Sequence, residues 1–308
     1  MNQDFPVIDA HMHLLTKRMI DQFREGMKKK NPRLYEESEK RRDWRAEKLN
    51  QPRWDTAEEP IEETAKRWLY ELDRHGISKG VFIHFGKDGK ELEGFVRFAP
   101  DRFIGFIGLD PLDPESPLLL ERHVKEKGFR GLKLYPLTQR FHTYDEKVYP
   151  IYEKANALGI PILIHMGITI AYNADLRYAN PTDLQPVARD FPDLKIIIAH
   201  FGAGYLQESL LLCYHCANIY FDTSSSNIWM KYLPYPITLK EVFQKFLDHA
   251  GPERILFGTD SSSFPRGYRR DLLDLHLATL MELKIPEEDI RKIMGGNIAR
   301  LTGIEVKR

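Results

Sequence analysis

The sequence predicts an α/β protein in which eight parallel strands and their connecting helices close into one (β/α)8 barrel, the TIM-barrel fold. Its 308 residues with 42% hydrophobic content suffice for one such barrel or for two ordinary domains. Eight short β-rich runs recur along the chain, and a stretch with amphipathic helical spacing follows each of them, which favours the barrel. No glycine-rich phosphate loop follows the first run, so an open doubly wound sheet is the weaker alternative.

The predicted strands are nearly continuous in valine, isoleucine, leucine and phenylalanine, as expected for strands covered on both faces. They occupy residues 7–13, 80–85, 103–110, 130–136, 160–167, 195–202, 219–225 and 255–260. Intervening patterns such as DEKVYPIYEKANALG and LKEVFQKFLDHAG supply the covering helices. Gly76 and Gly159 lie where helix C-caps are expected. We therefore expect a single barrel domain over residues 1–308.

One long interval, from about residue 15 to about residue 75, interrupts this rhythm between the first two strands. Its richness in lysine, arginine and glutamate predicts solvated helices. Because it leaves the C-terminal end of the first strand, we expect a helical lid insert over the barrel mouth. Trp44, Trp54 and Trp68 are the residues through which it would contact the barrel or a substrate.

The composition favours a small-molecule substrate. Lysine plus arginine (45) balance aspartate plus glutamate (45), so the net charge attracts neither nucleic acid nor an anionic membrane. The segment MNQDFPVIDAHMH has no leader pattern, and no later run has the length of a bilayer span, so we expect a soluble cytoplasmic protein. Cys213 and Cys216 form a single CxxC without a second pair, which favours buried helix cysteines over a redox or metal site.

Histidines and an aspartate mark the C-terminal ends of four predicted strands. His11 and His13 are two residues apart on the first strand, so their side chains project from the same face. His165, His200 and Asp260 end the fifth, sixth and eighth strands. All five groups belong to the face on which barrel active sites are built. Since two neighbouring neutral imidazoles bind a divalent ion well, the pattern predicts a metal site.

Several phrases of the sequence resemble the amidohydrolase superfamily. They are VIDAHMH, RFIGFIGLDP, GFRGLKLYP, FPDLKIIIAHFGAG, NIYFDTSS, RILFGTDS and GGNIARLTG. Together they look like its amidohydrolase-related branch, which includes aminocarboxymuconate-semialdehyde decarboxylase and related aromatic acid decarboxylases. The resemblance implies that His11, His13, His165 and Asp260 bind the metal. It also implies that His200 is a general acid or base beside a metal-activated water, with Asp260 as a proton relay.

Lys133 leaves the number of metal ions open. On the fourth strand it shares a face with Tyr135, and binuclear members of the superfamily carry a carboxylated lysine on this strand that bridges two metals. Members of the related branch usually work with one metal, and Lys133 would then pair with Asp9 or bind a substrate carboxylate. We expect one divalent ion, with a second as the alternative. The ligand types favour zinc, with manganese, iron or cobalt as alternatives.

Further polar residues near the strand ends are candidate substrate contacts. They are His84, Tyr135, Tyr172, Arg177, Trp229 and Arg266. Hydroxyl-rich runs at 223–227 and 261–263 either bind substrate or cap the helices that follow.

The predicted activity is hydrolysis of an amide, lactone or similar bond through metal-activated water. The alternative is a metal-dependent, non-oxidative decarboxylase of an aromatic or unsaturated acid. A barrel that has lost its chemistry is disfavoured, because no expected ligand is missing from the sequence. Barrels of this kind are commonly dimers, so we expect a homodimer.

Overall fold

Eight strands form one parallel sheet in the order of the chain, which confirms the predicted barrel. The computed structural model describes residues 5–48, 58–225 and 227–305. The strands are β1 (Ile8–His13), β2 (Lys79–His84), β3 (Phe103–Gly108), β4 (Gly131–Leu134), β5 (Ile162–Ile164), β6 (Ile196–Ile198), β7 (Ile219–Asp222) and β8 (Ile255–Leu256). Backbone hydrogen bonds from Ala10 to Phe257 and from His13 to Ser261, both 2.8 Å, join β1 to the segment after β8 and close the barrel.

Helices lie between consecutive strands and after β8. They are α1 (Lys17–Lys30), α2 (Pro32–Lys48), α3 (Ile61–His75), α4 (Lys90–Phe98), α5 (Ser116–Lys127), α6 (Pro136–Gln139), α7 (Tyr149–Ala157), α8 (Gln185–Asp190), α9 (Leu206–His215), α10 (Leu239–Ala250), α11 (Arg270–Glu282), α12 (Glu287–Arg291) and α13 (Asn297–Thr302). Single 3-10 turns lie at Glu146–Val148, Leu176–Tyr178, Pro181–Leu184, Ala199–Gly202, Ile228–Tyr232 and Pro252–Arg254, and a π turn at Lys292–Gly296. The C-cap Gly76 of α3 adopts φ +68°, as predicted.

The alternation of side chains along the strands separates two buried layers. In β4, Leu132 and Leu134 belong to the large apolar cluster between the strands and the covering helices. Lys133 lies between them in the chain and therefore points into the barrel. A smaller cluster fills the interior and takes residues from several strands, among them Val81, Ile104, Leu163, Ile197 and Leu256. The barrel is thus a packed core whose C-terminal end is left for polar residues.

Several strands are shorter than the sequence predicts, and at β6 and β8 this changes where two site residues lie. β6 ends at Ile198 and β8 at Leu256, so His200 and Asp260 follow the strands. Both adopt left-handed backbone conformations, with φ of +59° and +58°. At His200 the backbone has left the sheet ladder, because its N–H bonds to the side chain of Asp222. The N–H of Asp260 still bonds to the carbonyl of His11 in β1.

The charged interval after β1 folds into α1, α2 and α3. The helix α3 buries Trp68 and Leu72, and the Trp68 ring lies 5.5 Å from that of Phe82, so α3 covers the barrel. No residue of α1 or α2 is buried in the described part of the chain. Hydrogen bonds tie this pair to the barrel mouth, from Thr16 to Glu91 and from Arg18 to Asp88 after β2, and from Arg45 to the Ile170 carbonyl after β5. The function of this segment as a lid stays a prediction.

Of the three tryptophans predicted to make contacts, Trp44 is 41% exposed under the Arg41 guanidinium, and Trp54 lies outside the described residues.

Cys213 and Cys216 are free thiols buried at the end of α9, as predicted. Within residues 5–48, 58–225 and 227–305, no helix combines the length and hydrophobicity that crossing a bilayer requires.

Candidate active site

Three of the four predicted metal ligands meet at the C-terminal end of the barrel. The Nε2 atoms of His11 and His13 are 3.2 Å apart, and an Asp260 carboxylate oxygen lies 3.1 Å from His13 Nε2 and 3.9 Å from His11 Nε2. Atoms that share one ion at roughly 2.0–2.2 Å are separated by about 3 to 4 Å. The spacing of these three side chains, and their two imidazoles and one carboxylate, therefore fit a divalent metal ion.

The backbone around Asp9 presents these ligands. The pairing of β1 with β2 is irregular between Asp9 and Met12, and the Asp9 carboxylate accepts the N–H of His11 at 3.0 Å. The same carboxylate accepts the hydroxyl of Thr259 at 2.6 Å, one residue before Asp260. Burial raises the pKa of Asp9 to about 7, although the hydrogen bonds from Thr259 and His11 oppose this. Asp9 thus holds together the two segments that carry the ligands.

Asp260 is ionised in this arrangement. Burial favours its neutral form, but the hydrogen bond with His13 and the electrostatic interactions with the imidazoles of His13, His200 and His11 outweigh that effect and hold its pKa far below the usual range. Its side chain is still 38% exposed, so the group of three ligands opens towards the barrel mouth.

The fourth predicted ligand, His165, lies beside this group. Its ring packs 4.9 Å from the ring of His200 and 4.5 Å from that of Tyr135. Its Nε2 lies 3.2 Å from the carbonyl of Ile168. Because a carbonyl only accepts, Nε2 carries the proton and Nδ1 keeps a lone pair. Burial lowers the pKa of His165 well below its usual value, so the imidazole is neutral, and its role as a ligand stays a prediction.

His200 is a buried imidazole beside the predicted metal ligands. Its ring stacks on that of His11 with centroids 4.9 Å apart. Its Nδ1 lies 3.0 Å from the carbonyl of Ser224 and 2.7 Å from the hydroxyl of the same residue. Since the carbonyl only accepts, Nδ1 carries the proton and Nε2 keeps its lone pair. Burial lowers the pKa of His200, which favours the neutral ring.

Asp222, at the end of β7, is a site residue that the sequence analysis missed. Its buried carboxylate lies 2.8 Å from Nδ1 of His11 and 2.9 Å from the backbone nitrogen of His200. Burial favours the neutral acid, but the electrostatic interaction and the hydrogen bond with the His11 imidazole outweigh it and hold the pKa of Asp222 far below its usual range. The sequence does contain a signal for it, because an acidic residue at the end of the apolar run IYFD needs a polar partner when it is buried.

Ser224 connects the same groups. Its hydroxyl lies 3.0 Å from Nδ1 of His11 and 2.7 Å from Nδ1 of His200, and it donates to Asp222. His11, His200 and Asp222 also have the spacing of a metal-binding group. The Ser224 hydroxyl, however, lies within hydrogen-bond distance of all three. We therefore interpret this second group as a hydrogen-bond network behind the metal ligands.

Lys133 contributes a buried amine to the barrel interior. Its Nζ has no hydrogen-bond partner among the described residues. Burial lowers the pKa of Lys133 to about 8, while the charges of Asp222 and Asp260 act in the opposite direction. A buried polar group without a partner is costly, so an anionic group brought into the site would satisfy Lys133.

Two of the predicted substrate contacts are engaged elsewhere. Nδ1 of His84 lies 3.0 Å from the carbonyl of Leu14, and its Nε2 lies 3.4 Å from the Glu91 carboxylate. The exposed Arg177 pairs with Asp175 at 2.6 Å. The partners of His84 and Arg177 are therefore groups other than the three clustered predicted ligands.

Other predicted substrate contacts are either close to the predicted metal ligands or have a hydrogen-bond donor without a described partner. Tyr135 is half-buried, and its ring lies 4.5 Å from that of His165. Arg266 is half-buried, bonds to Ser262 at 2.8 Å and is close enough to Asp260 to feel its charge. The buried indole N–H of Trp229 has no partner within the described ranges. Tyr172, the remaining candidate, is exposed.

A cavity of about 660 Å³ lies between the insertion and the segment after β8. Leu15 and Trp68 line it on one side, and Ser262 and Phe264 on the other. Its volume is in the range of small-molecule sites. Because Leu15 follows His13, and Ser262 follows Asp260, by two residues, the cavity adjoins the two segments that present metal ligands.

Comparison with known proteins gives the family. A family model described as amidohydrolase matches residues 8–304. A dihydroorotase of Escherichia fergusonii is 27% identical over 179 residues, which are 51% of this chain and 50% of that protein, so the chain spans about half the length of this curated relative.

Two solved structures share the fold over nearly their whole length. The 5-carboxyvanillate decarboxylase of Sphingomonas paucimobilis superposes with a TM-score of 0.70 at 17% identity, covering 98% of this chain and 100% of that one. A probable 2-pyrone-4,6-dicarboxylic acid hydrolase of Acinetobacter baumannii gives 0.62 at 14% identity, covering 97% and 99%. With the family model matched from β1 to the end of α13, this chain belongs to the amidohydrolase family.

Proposed function

We propose that this protein is a metal-dependent hydrolase that cleaves an amide, lactone or similar bond of a small molecule. The observation that carries the proposal is the buried, neutral His200, stacked on the metal ligand His11. Because its Nδ1–H is held by Ser224, its Nε2 is the nitrogen that accepts a proton. A proton acceptor next to a metal site is what activation of a water molecule requires.

The residues have distinct roles in this proposal. His11, His13 and Asp260 would hold the ion, and His165 would add a further imidazole. A divalent ion held there would polarise a carbonyl group and make a water molecule more acidic. His200 takes the proton from the attacking water and returns it to the leaving nitrogen or oxygen. We propose zinc as the ion, since neutral imidazoles with one carboxylate suit it, with manganese, iron or cobalt as alternatives.

A second function, non-oxidative decarboxylation of an aromatic or unsaturated acid, is favoured by one observation. The buried Lys133 amine has no partner in the described part of the chain and would neutralise a substrate carboxylate. In this reaction the bond between the carboxyl carbon and its neighbour breaks and carbon dioxide leaves. The electron pair stays on the neighbouring carbon. His200 takes a proton from solvent on Nε2 and passes it to that carbon. The fold relationship to a 5-carboxyvanillate decarboxylase makes this acid a suitable probe.

One assay series tests both functions. Zinc-loaded protein is incubated with cyclic amides and lactones, including 2-pyrone-4,6-dicarboxylate, and with aromatic acids, including 5-carboxyvanillate. Ring opening is followed by chromatography and carbon dioxide by a coupled assay. We expect hydrolysis that falls about 10²- to 10⁴-fold in His200→Ala, the usual contribution of a general base, while bound zinc is retained.

The matched control is His142→Ala, which removes a half-buried histidine that pairs with Asp183. Its activity should remain near that of the wild type. Carbon dioxide release without ring opening, with a raised KM in Lys133→Met, would replace the hydrolase by the decarboxylase. Zinc-loaded protein that turns over neither set of compounds would contradict both.

A further inference from the structure

We propose that Asp222 is a positioning residue that fixes the proton of His11 on Nδ1, so that Nε2 of His11 is free to bind the metal. The inference deepens the proposed function and rests on it, since it concerns the same metal site. It assigns a role to a residue outside the predicted ligand set.

The two oxygens of the Asp222 carboxylate accept from different groups. Oδ1 accepts the backbone N–H of His200 at 2.9 Å and of Ser224 at 3.0 Å, together with the Ser224 hydroxyl. Oδ2 lies 2.8 Å from Nδ1 of His11. Asp222 is completely buried, so these protein groups, rather than bulk water, satisfy it.

This arrangement determines which nitrogen of His11 is protonated. Three donors converge on Oδ1 of Asp222, an arrangement that suits a carboxylate and not a protonated acid. A carboxylate only accepts, so Nδ1 of His11 donates to Oδ2. The other nitrogen, Nε2, then keeps its lone pair 3.2 Å from His13 Nε2 and 3.9 Å from the Asp260 carboxylate. An imidazole binds a metal only through a nitrogen without a proton, and a carboxylate behind the ring selects that nitrogen.

The variant Asp222→Asn tests this because asparagine has nearly the same shape but one donor end. The backbone N–H groups of His200 and Ser224 can never accept, so the amide oxygen must take the position of Oδ1. The amide NH2 then faces Nδ1 of His11, which has to become an acceptor. The ring proton moves to Nε2 and blocks metal binding. We expect zinc affinity to fall about 10- to 100-fold, as for other residues that orient metal ligands.

Two measurements, neither of which needs turnover, decide the matter. Zinc affinity is measured by competition with a chromophoric chelator. The proton position is read from ¹⁵N-histidine NMR of metal-free protein, with the His11 signal assigned by its loss in His11→Asn. The wild type should show His11 protonated at Nδ1, and Asp222→Asn should show it protonated at Nε2. A residue with only a structural role would not move this signal.

The matched control is Ser224→Ala. It removes the hydroxyl but leaves Asp222 Oδ2 on His11, and the carbonyl of residue 224 on Nδ1 of His200. Its zinc affinity and His11 signal should therefore stay close to those of the wild type.

Wild-type protein with His11 protonated at Nε2, or an Asp222→Asn variant that binds zinc as the wild type does, would overturn the inference. If Asp222→Asn does not fold, the wild-type spectrum alone decides. Protein that binds zinc with the expected His11 proton but hydrolyses no compound would contradict the proposed hydrolase and leave this inference standing.

Discussion

Replacing Lys133 by methionine should stabilise the metal-free protein at neutral pH. Burial lowers the pKa of Lys133 from 10.5 to about 8, and no described residue gives its amine a hydrogen bond. At pH 7 the amine is charged in both the folded and the unfolded chain. The lowered pKa then corresponds to a penalty of about 3 kcal/mol for keeping the charge in the fold. Methionine fills a similar volume and carries no charge, so it removes this penalty.

The pH dependence gives the sign of the effect. The folded-state pKa of this base lies below the unfolded one, so the penalty is complete below about pH 8. Between about pH 8 and 10.5 the folded chain loses the Lys133 proton first, and the wild type gains stability by about 1.4 kcal/mol per pH unit relative to Lys133→Met. The advantage of the variant should therefore shrink from about 3 kcal/mol at pH 7 to about 1 kcal/mol at pH 9.5.

The assay is urea unfolding of both proteins after treatment with a chelator, with the free energy of unfolding compared at pH 7 and 9.5. The control is Lys154→Met, because Lys154 is a partly exposed lysine that already pairs with Glu121 at 2.7 Å. It should change stability by less than about 1 kcal/mol. A Lys133→Met variant that is less stable than the wild type at pH 7, or an advantage that does not change with pH, would refute the reasoning.

Two further predictions concern the metal and the turn that carries His200. Elemental analysis should find about one metal ion per chain, which is lost in Asp260→Ala and kept in Lys133→Ala. About two metal ions per chain, with a lower content in Lys133→Ala, would instead indicate a pair of ions bridged by this lysine. Gly167→Ala should lower the free energy of unfolding by more than about 2 kcal/mol in urea, because Gly167 has φ +85° and its new Cβ would overlap the carbonyls of residues 202 and 203. Gly303→Ala, with φ +66° and open space around it, isolates the backbone contribution, and an equal loss there would contradict the proposed clash.

Much of the barrel follows from local patterns in the sequence. Each apolar run specifies a strand, and each run of helical spacing specifies a covering helix, because burial depends on which side chains share a face. The spacing of His11 and His13 sets both imidazoles on one face by the same rule. Local patterns did not predict where the strands end: β6 and β8 stop before His200 and Asp260, whose N–H groups bond to groups of other strands.

The sequence by itself thus determined the barrel, its order of strands, and the end at which the histidines and Asp260 gather. Only the tertiary structure decided that Asp222 lies behind His11, which is 211 residues away in the chain. It also decided that His165 lies beside the three clustered ligands, and that the Lys133 amine enters the interior without a described partner. The physical reason is that periodicity specifies the face of a side chain, whereas hydrogen bonds between distant strands depend on how the closed barrel packs.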